Sequence, residues 1–387
     1  MKKNGPPFSH SEPRVSDFPF PSPSGKDPSE SKEPFMRIQN AKVDFIQRPF
    51  LRPVKIAADT FDTFESVILT LESECGTGQA EITNTLLPDL DLAYLAENFR
   101  QHIIPLLANV SVSDTASLRQ LLGKWSRDPT IYALCEIAWY ALRADEKKES
   151  LAQTLGGSPV SQQLFTVMDE PEMDADGYPN ANVFLDRVKA LYEAGYVHLE
   201  LKIRPGWDVA MVRSVRQENP DASFHLDLEG ALGPAHYDIL FQLRDFFPFM
   251  IEQPFAADQL VEDAEFQKMI DFPLCLDESV VSPGMVLSAV RLGSMKIVKI
   301  NPVRVGGFEN AKEILSICRE EGIDCWISSP ISTGVGVRAN LALSSLDGFT
   351  GPFEYHDLHD IFAPEHLEGL ELPPEVTLDE NKTLRIE

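Results

Sequence analysis

The sequence predicts an α/β fold in which an eight-stranded parallel barrel of the TIM type follows a smaller α+β domain. Three observations predict it. After Gly156-Gly157, short apolar runs alternate strictly with amphipathic helical patterns. Eight such runs can be counted, and eight is the number that closes a parallel barrel. Finally, Asp227 in FHLDLEG, Glu252 in FMIEQPF and Asp277 in PLCLDES recur every 25 residues, each near the end of an apolar run. That interval is about one strand plus one helix with loops, so these acids would stand at equivalent ends of neighbouring strands. The same interval before Asp227 falls on Lys202 in LELKIRPGWD.

Taken in order, residues 1–35 are rich in Pro, Ser, Glu and Lys and poor in large apolar side chains, which predicts a disordered extension. From Met36 the patterns MRIQNAKVDFIQ, FESVILTLESE and QAEITNT, with a turn at Gly76-Thr77-Gly78, predict a small antiparallel sheet. Helices over about 91–106, 114–122 and 129–145 complete an α+β domain spanning 36–155. Barrel strands are predicted at 163–168, 197–203, 223–228, 248–252, 273–277, 295–300, 324–328 and near 349–354. Helices fill the intervals at about 179–194, 208–217, 233–245, 258–270, 283–292, 308–321 and 336–345, with Gly195 and Gly322 as C-terminal stops. The barrel thus covers 156–354, and residues 355–387, which lack a further unit, are expected to pack back on the first domain.

Side-chain alternation indicates which way the second barrel strand faces. Val197, Leu199, Leu201 and Ile203 alternate with His198, Glu200, Lys202 and Arg204. In a strand these sets point to opposite faces, the apolar one toward outer helices and the polar one into the barrel.

Composition narrows the function classes. A formal charge of −26 argues against nucleic acid or an anionic membrane surface as the main partner and is compatible with a small-molecule substrate. Five cysteines without CxxC spacing argue against a disulfide frame or zinc site and for a reducing, cytoplasmic setting. No apolar run follows MKKNG, and none is long enough to span a bilayer. Nothing in the sequence sets an oligomeric state.

Carboxylates converging on one rim repel unless a cation neutralises them, and an all-oxygen ligand set favours a hard ion, Mg²⁺ with Mn²⁺ as a substitute. Any one acid at a strand end could instead cap a helix, although capping imposes no common spacing. Lys202 adds a possible base, the alternative being a solvated or salt-bridged lysine. A metal ion with a lysine suits removal of a proton next to a carboxylate.

These residues resemble a family. LKIRPGWD, the acids in LDLEG, IEQP and LDES, the later INPVRVGG and the earlier ESVILTLESECGTGQAEI are similar to the enolase superfamily, in particular its o-succinylbenzoate synthase and N-acylamino acid racemase branch. The resemblance covers about residues 36–387. It implies a (β/α)7β barrel with an N-terminal α+β capping domain, Mg²⁺ held by Asp227, Glu252 and Asp277, and Lys202 as acid/base. Two departures stand out. Glu200 replaces the first lysine of the family's Lys-x-Lys pair, and Asn301 replaces a second catalytic lysine before the proline of the sixth strand. Lys299, two residues earlier, faces the same way about 6–7 Å deeper, as a second catalytic lysine or a buried partner of Glu200 or an acid ligand. Because racemisation normally needs two bases and a syn dehydration one, the resemblance favours o-succinylbenzoate synthase. A racemase, a cycloisomerase and a noncatalytic metal-binding homologue are the alternatives.

Other features are less specific. Arg304 with Gly306-Gly307, and Ser332 to Gly336 before a helix, would form tight turns or offer N–H groups to a substrate carboxylate. His225 should lie inward beneath Asp227 as a hydrogen-bonded core residue, and Glu278 beside Asp277 as a supporting group. The loop at about 46–58 falls where the family places a substrate lid.

Overall fold

A computed structural model describes residues 36–56, 59–169 and 180–386; the expected N-terminal extension lies outside them. Strand β1 (Met36–Ile38) pairs antiparallel with β5 (Val110–Val112). β2 (Asn40–Ile56), β3 (Asp59–Glu72) and β4 (Thr77–Thr83) form a three-stranded antiparallel sheet. β2 continues well past the predicted run because its two prolines fall where a strand tolerates them. It is an edge strand, and its register shifts between Pro49 and Val54.

The helices of this region are α1 (Leu92–Asn98), α2 (Ile104–Leu107), α3 (Thr115–Leu122), α4 (Pro129–Lys147) and α5 (Leu151–Leu155). A π-helical turn, Phe99–Ile103, joins α1 to α2 where Pro105 removes a backbone donor. Asp128 caps α4 and Pro129 opens it, and its apolar side buries Ile131, Leu134, Ala138 and Leu142. The unforeseen α5 is a single short turn closed by a capping box of Ser150 and Gln153.

The barrel follows as β6 (Val160–Met168), α6 (Ala181–Glu193), β7 (His198–Lys202), α7 (Val209–Glu218), β8 (Phe224–Asp227) and α8 (Tyr237–Arg244). It continues with β9 (Ile251–Glu252), α9 (Leu260–Gln267), β10 (Leu274–Leu276), α10 (Pro283–Leu292), β11 (Ile297–Ile300) and α11 (Phe308–Glu321). β12 (Asp324–Ile327), α12 (Gly334–Ser344) and β13 (Phe353–Glu354) complete the order. Strands β6 to β12 pair in sequence, all parallel, and β13 returns to pair with β6. A bridge from Cys325 to Phe349 draws the chain before β13 alongside β12. On β7, Leu199 and Leu201 are fully buried on the outward face while Glu200 is buried on the inward one.

The tail divides its contacts between the two regions. Phe362 packs with Phe50 and Phe64 of the β2–β3 hairpin, ring centroids 5.4 and 5.5 Å away. Beyond it, β14 (Val376–Leu378) and β15 (Thr383–Ile386) form a hairpin whose β15 pairs antiparallel with β6. The end of the chain, expected on the first domain, therefore extends the barrel sheet, because the free edge of β6 below β13 offers unpaired backbone groups.

Two buried carboxylates fasten the N-terminal region to the barrel. Glu81 of β4 accepts hydrogen bonds from Thr333 Oγ1 (2.8 Å), Thr333 N (3.0 Å) and Gly336 N (2.9 Å) at the start of α12. Glu136 of α4 faces the start of α11, where Glu309 N lies 3.4 Å from its Oε2. Gly307, at φ +116°, is required there: a Cβ would stand 2.1 Å from Glu136 Oε2.

Burial, reinforced by the charge of Glu309, pushes Glu136 up to about 7. A carboxyl raised in the fold stabilises the protein relative to its ionised form below the unfolded pKa of about 4.3, and that advantage is lost as pH rises through 7. Glu136→Gln is therefore expected to gain stability relative to the wild type between pH 4 and 8, on the order of 2–3 kcal/mol. Urea unfolding of both proteins across this range checks it; parallel pH profiles would contradict the assignment.

Candidate active site

Inward side chains of such barrels form layers of four, drawn alternately from odd and even strands. With β6 as the first strand, Glu200, Glu252, Lys299 and Glu354 come from the second, fourth, sixth and eighth. They make a complete layer of ionisable groups. Lys299 Nζ lies 2.8 Å from Glu200 Oε2, 3.0 Å from Glu252 Oε1 and 3.3 Å from Glu354 Oε2, and all four residues are buried. Below, the odd strands supply Phe165, His225, Cys275 and Trp326. His225 bonds Glu200 at 3.1 Å and His198 at 2.7 Å, and His198 reaches Ser223 at 2.7 Å.

Above the charged layer stand Asp227, Asp277 and Lys202. Lys202 pairs in register with Asp227 and Asp227 with Glu252, while Cys275, two residues before Asp277, pairs with Glu252. Period-two alternation thus brings all of them to one end of the barrel. Lys202 Nζ lies 2.5 Å from Asp227 Oδ2, 2.9 Å from Glu200 Oε1 and 3.0 Å from Glu229 Oε1. Arg304 Nη1 lies 2.5 Å from Asp277 Oδ1. Glu229, at φ +47°, and Gln253, at φ +36°, occupy the left-handed region immediately after strands β8 and β9, a strain often found at functional sites.

Acids outnumber cations in this cluster. Burial raises Asp227 well above the usual carboxylate range against the opposing charge of Lys202, and Glu252, Glu200 and Glu229 add to the rise. Glu252 is raised likewise, by burial first, against Lys299 and with Glu200 and Asp277. Burial favours the neutral amine of both lysines, but the carboxylates outweigh it and hold each pKa well above its ordinary value. Burial also opposes ionisation of Glu354, yet Lys299 brings it down to about 2.

The donor set fits a hard dication. Glu252 Oε2 is buried without a hydrogen bond, although His225 Nε2 lies 3.0 Å away out of line. Its charge raises Asp227 and is itself disfavoured by that of Asp277, so a cation placed among the three would be favoured. A second grouping, Glu200, His225 and Glu252, has its ligand atoms within 4.8 Å of one another, but the Lys299 ammonium already bonds both of its carboxylates.

This cluster forms the floor of a cavity of about 470 Å³ whose wall includes Arg52 to Lys55 of β2, Arg187 of α6, and His356 and Ile361 of the tail. A family model described as Enolase C-terminal domain-like matches residues 183–379. The chain belongs to the enolase superfamily. It is 30% identical over 351 residues to an N-succinylamino acid racemase of Amycolatopsis sp, covering 87% of this chain and 92% of the relative. An o-succinylbenzoate synthase of Geobacillus kaustophilus is 29% identical over 340 residues, 85% and 88% of the two chains. Among solved structures, an enolase superfamily member from Listeria innocua superposes with a TM-score of 0.78 at 26% identity, covering 91% of this chain and 92% of the other.

Residues whose roles the sequence left open take up structural contacts here. Asn301 is turned away from the cavity: its side chain donates to Ser328 O (3.0 Å) and accepts from Val303 N (2.9 Å), closing the turn after β11. Lys299 lines the cavity floor, with its ammonium enclosed by three carboxylates. The N–H groups of Thr333 and Gly336, candidates for a substrate carboxylate, are taken by Glu81, and those of Gly306 and Gly307 by turn carbonyls. Arg304 binds Asp277 instead.

Sequence reasoning did not single out Glu229, Glu354 or Arg187. Glu354 was detectable, since it follows Asp277 by 77 residues, close to three further intervals of 25. Glu229 carried the period-two signal after Asp227. Arg187 lies mid-helix, where spacing signals nothing. Glu278 lines the cavity, pushed up to about 7 by burial and by Asp277.

Proposed function

We propose that the chain is a Mg²⁺-dependent o-succinylbenzoate synthase, catalysing a syn dehydration that begins with proton abstraction next to a carboxylate. One observation carries the reading: Lys202 faces the cavity at the end of β7 beside Asp227, while Lys299 is engaged in the charged layer beneath it. In this mechanism Lys202 Nζ accepts the α-proton and returns it to the departing hydroxyl on the same face, so a single proton carrier serves both steps. Glu200 Oε1 and Glu229 Oε1 position the ammonium from two sides. Lys299 contributes positive charge from below, through Glu200 and Glu252. Bound by Asp227, Glu252 and Asp277, Mg²⁺ would stabilise the enediolate charge and offset the carboxylates that otherwise hold the Lys202 proton. The β2–β3 hairpin, reaching the cavity with Arg52 to Lys55, would cover the substrate and exclude water. The relatives named as o-succinylbenzoate synthases support the reading, which would place the enzyme in cytoplasmic menaquinone biosynthesis.

The test is conversion of the succinyl-hydroxycyclohexadiene carboxylate precursor to its aromatic product. Activity is expected with Mg²⁺, lost with EDTA and restored by Mg²⁺ or Mn²⁺. A folded, Mg²⁺-supplemented sample that forms no aromatic product would overturn the proposal. A second reading, N-succinylamino acid racemase, is favoured by the relative from Amycolatopsis sp. It requires a second proton carrier opposite Lys202, and solvent deuterium entering both enantiomers of an N-succinyl amino acid would establish it.

A further inference from the structure

Arg187 is a half-buried guanidinium on the cavity wall with no ion pair or hydrogen bond to any described residue. Burial lowers its pKa, and the charge of nearby Arg52 lowers it further. Two arginines on one wall, with Arg52 close enough to disfavour the charge of Arg187, are unfavourable unless an anion joins them. Asp360 offsets one of the two charges in part, and Asp357 is occupied by Lys382 at 3.4 Å. Apolar side chains stand beside the two arginines on this wall. Val183, one helical turn before Arg187 on the same face of α6, is 56% exposed, and Val54 and Ile361 line the same cavity. In a chain of net charge −26, two arginines only partly offset by Asp360 on the wall of this cavity mark where an anionic group is received.

We propose that Arg187, assisted by Arg52, forms an anion subsite that holds the second carboxylate of a dicarboxylate substrate, an apolar spacer separating it from the carboxylate that reacts at Lys202. The inference rests on the proposed carboxylate chemistry at Lys202 and extends it to the distal end of the substrate. Arginine suits this role because its planar fork meets a carboxylate with two parallel hydrogen bonds, whereas the aliphatic stem continues the apolar wall.

Binding separates this inference from the reading of the reaction. Titration calorimetry of the Mg²⁺-loaded full chain with o-succinylbenzoate, and with the butyryl analogue in which a methyl replaces the distal carboxylate, is expected to show about tenfold or more preference for the succinyl compound. Arg187→Met should abolish the preference by weakening only the succinyl compound, and Arg187→Lys should restore part of it. Circular dichroism confirms that each variant folds. Equal binding of the two compounds by the wild type, no binding of either, or an equal loss for both in Arg187→Met would each overturn the subsite. Preferential binding through Arg187 without turnover would leave the subsite standing and remove the synthase reading. Turnover with unchanged KM in Arg187→Met would do the reverse.

Discussion

Lys202→Ala is expected to lower kcat by about 10³-fold or more while leaving the fold intact. The fold should survive because Lys202 sits at the rim, its side chain 16% exposed, where water can enter the space left and solvate Asp227 and Glu229. Catalysis should not, because Lys299 lies one inward step lower and is enclosed by carboxylates, and Lys55 stands on the β2–β3 hairpin of the cavity wall rather than beside Asp227. Lys202→Arg separates charge from chemistry. A guanidinium keeps the positive charge beside Asp227 and cannot act as a base near neutral pH, so this variant should be as inactive as the alanine. The measurement is product formation in single turnover, with washout of the substrate α-proton into deuterated solvent as an independent readout. Substantial activity in Lys202→Arg would show that the residue acts as a charge and that the proton goes elsewhere.

The largest effect on stability is expected from Lys299→Met. The substitution keeps the volume and removes the one cation that Glu200, Glu252 and Glu354 share. Breaking a buried ion pair by deleting one partner typically costs about 3–5 kcal/mol, because the remaining charge is left buried and unmatched. The sign of the pH dependence follows from Glu354. Its pKa of about 2 in the fold lies below the unfolded value, so its ionisation stabilises the protein above about pH 4 and ceases to do so as pH falls toward 2. Without Lys299 that contribution disappears, so the deficit of the variant should be greatest near neutral pH and narrow in acid. Adding Glu200→Gln should recover part of the loss. Urea unfolding monitored by tryptophan fluorescence measures all three proteins; an unchanged midpoint for Lys299→Met would mean that the layer is held together by something other than its lysine.

Most of the barrel was legible because its grammar is local. Each strand announces itself by a short apolar run, and each helix by its period and its stop, as at Gly195 and Gly322. The even spacing of Asp227, Glu252 and Asp277 pointed to the same end of the barrel as well: Asp227 is in register with Glu252, and Asp277 lies two residues beyond the partner of Glu252, on the same face. What stayed hidden depended on partners remote in sequence. Pro49 and Pro53 argue against a strand until one knows that β2 is an edge with a register shift. Glu81 has no chemical signature in QAEITNT, and only the assembled interface shows it receiving the start of α12. The enclosure of Lys299 likewise requires acids from three other strands, one of them on the last.

The charged layer also bears on how such a chain reaches its native state. Its lysine comes from the sixth strand and its acids from the second, fourth and eighth, so Lys299 pairs with an acid as far as 99 residues away, Glu200. No half-barrel contains the whole layer. A folding intermediate built from the first four strands would hold Glu200 and Glu252 with Lys202 beside Glu200 but without Lys299, and one built from the last four would have Lys299 with Glu354 alone. The contacts of Lys299 with Glu200 and Glu252 therefore form only as the ring closes, which disfavours stable partial barrels and makes assembly of the interior a concerted event.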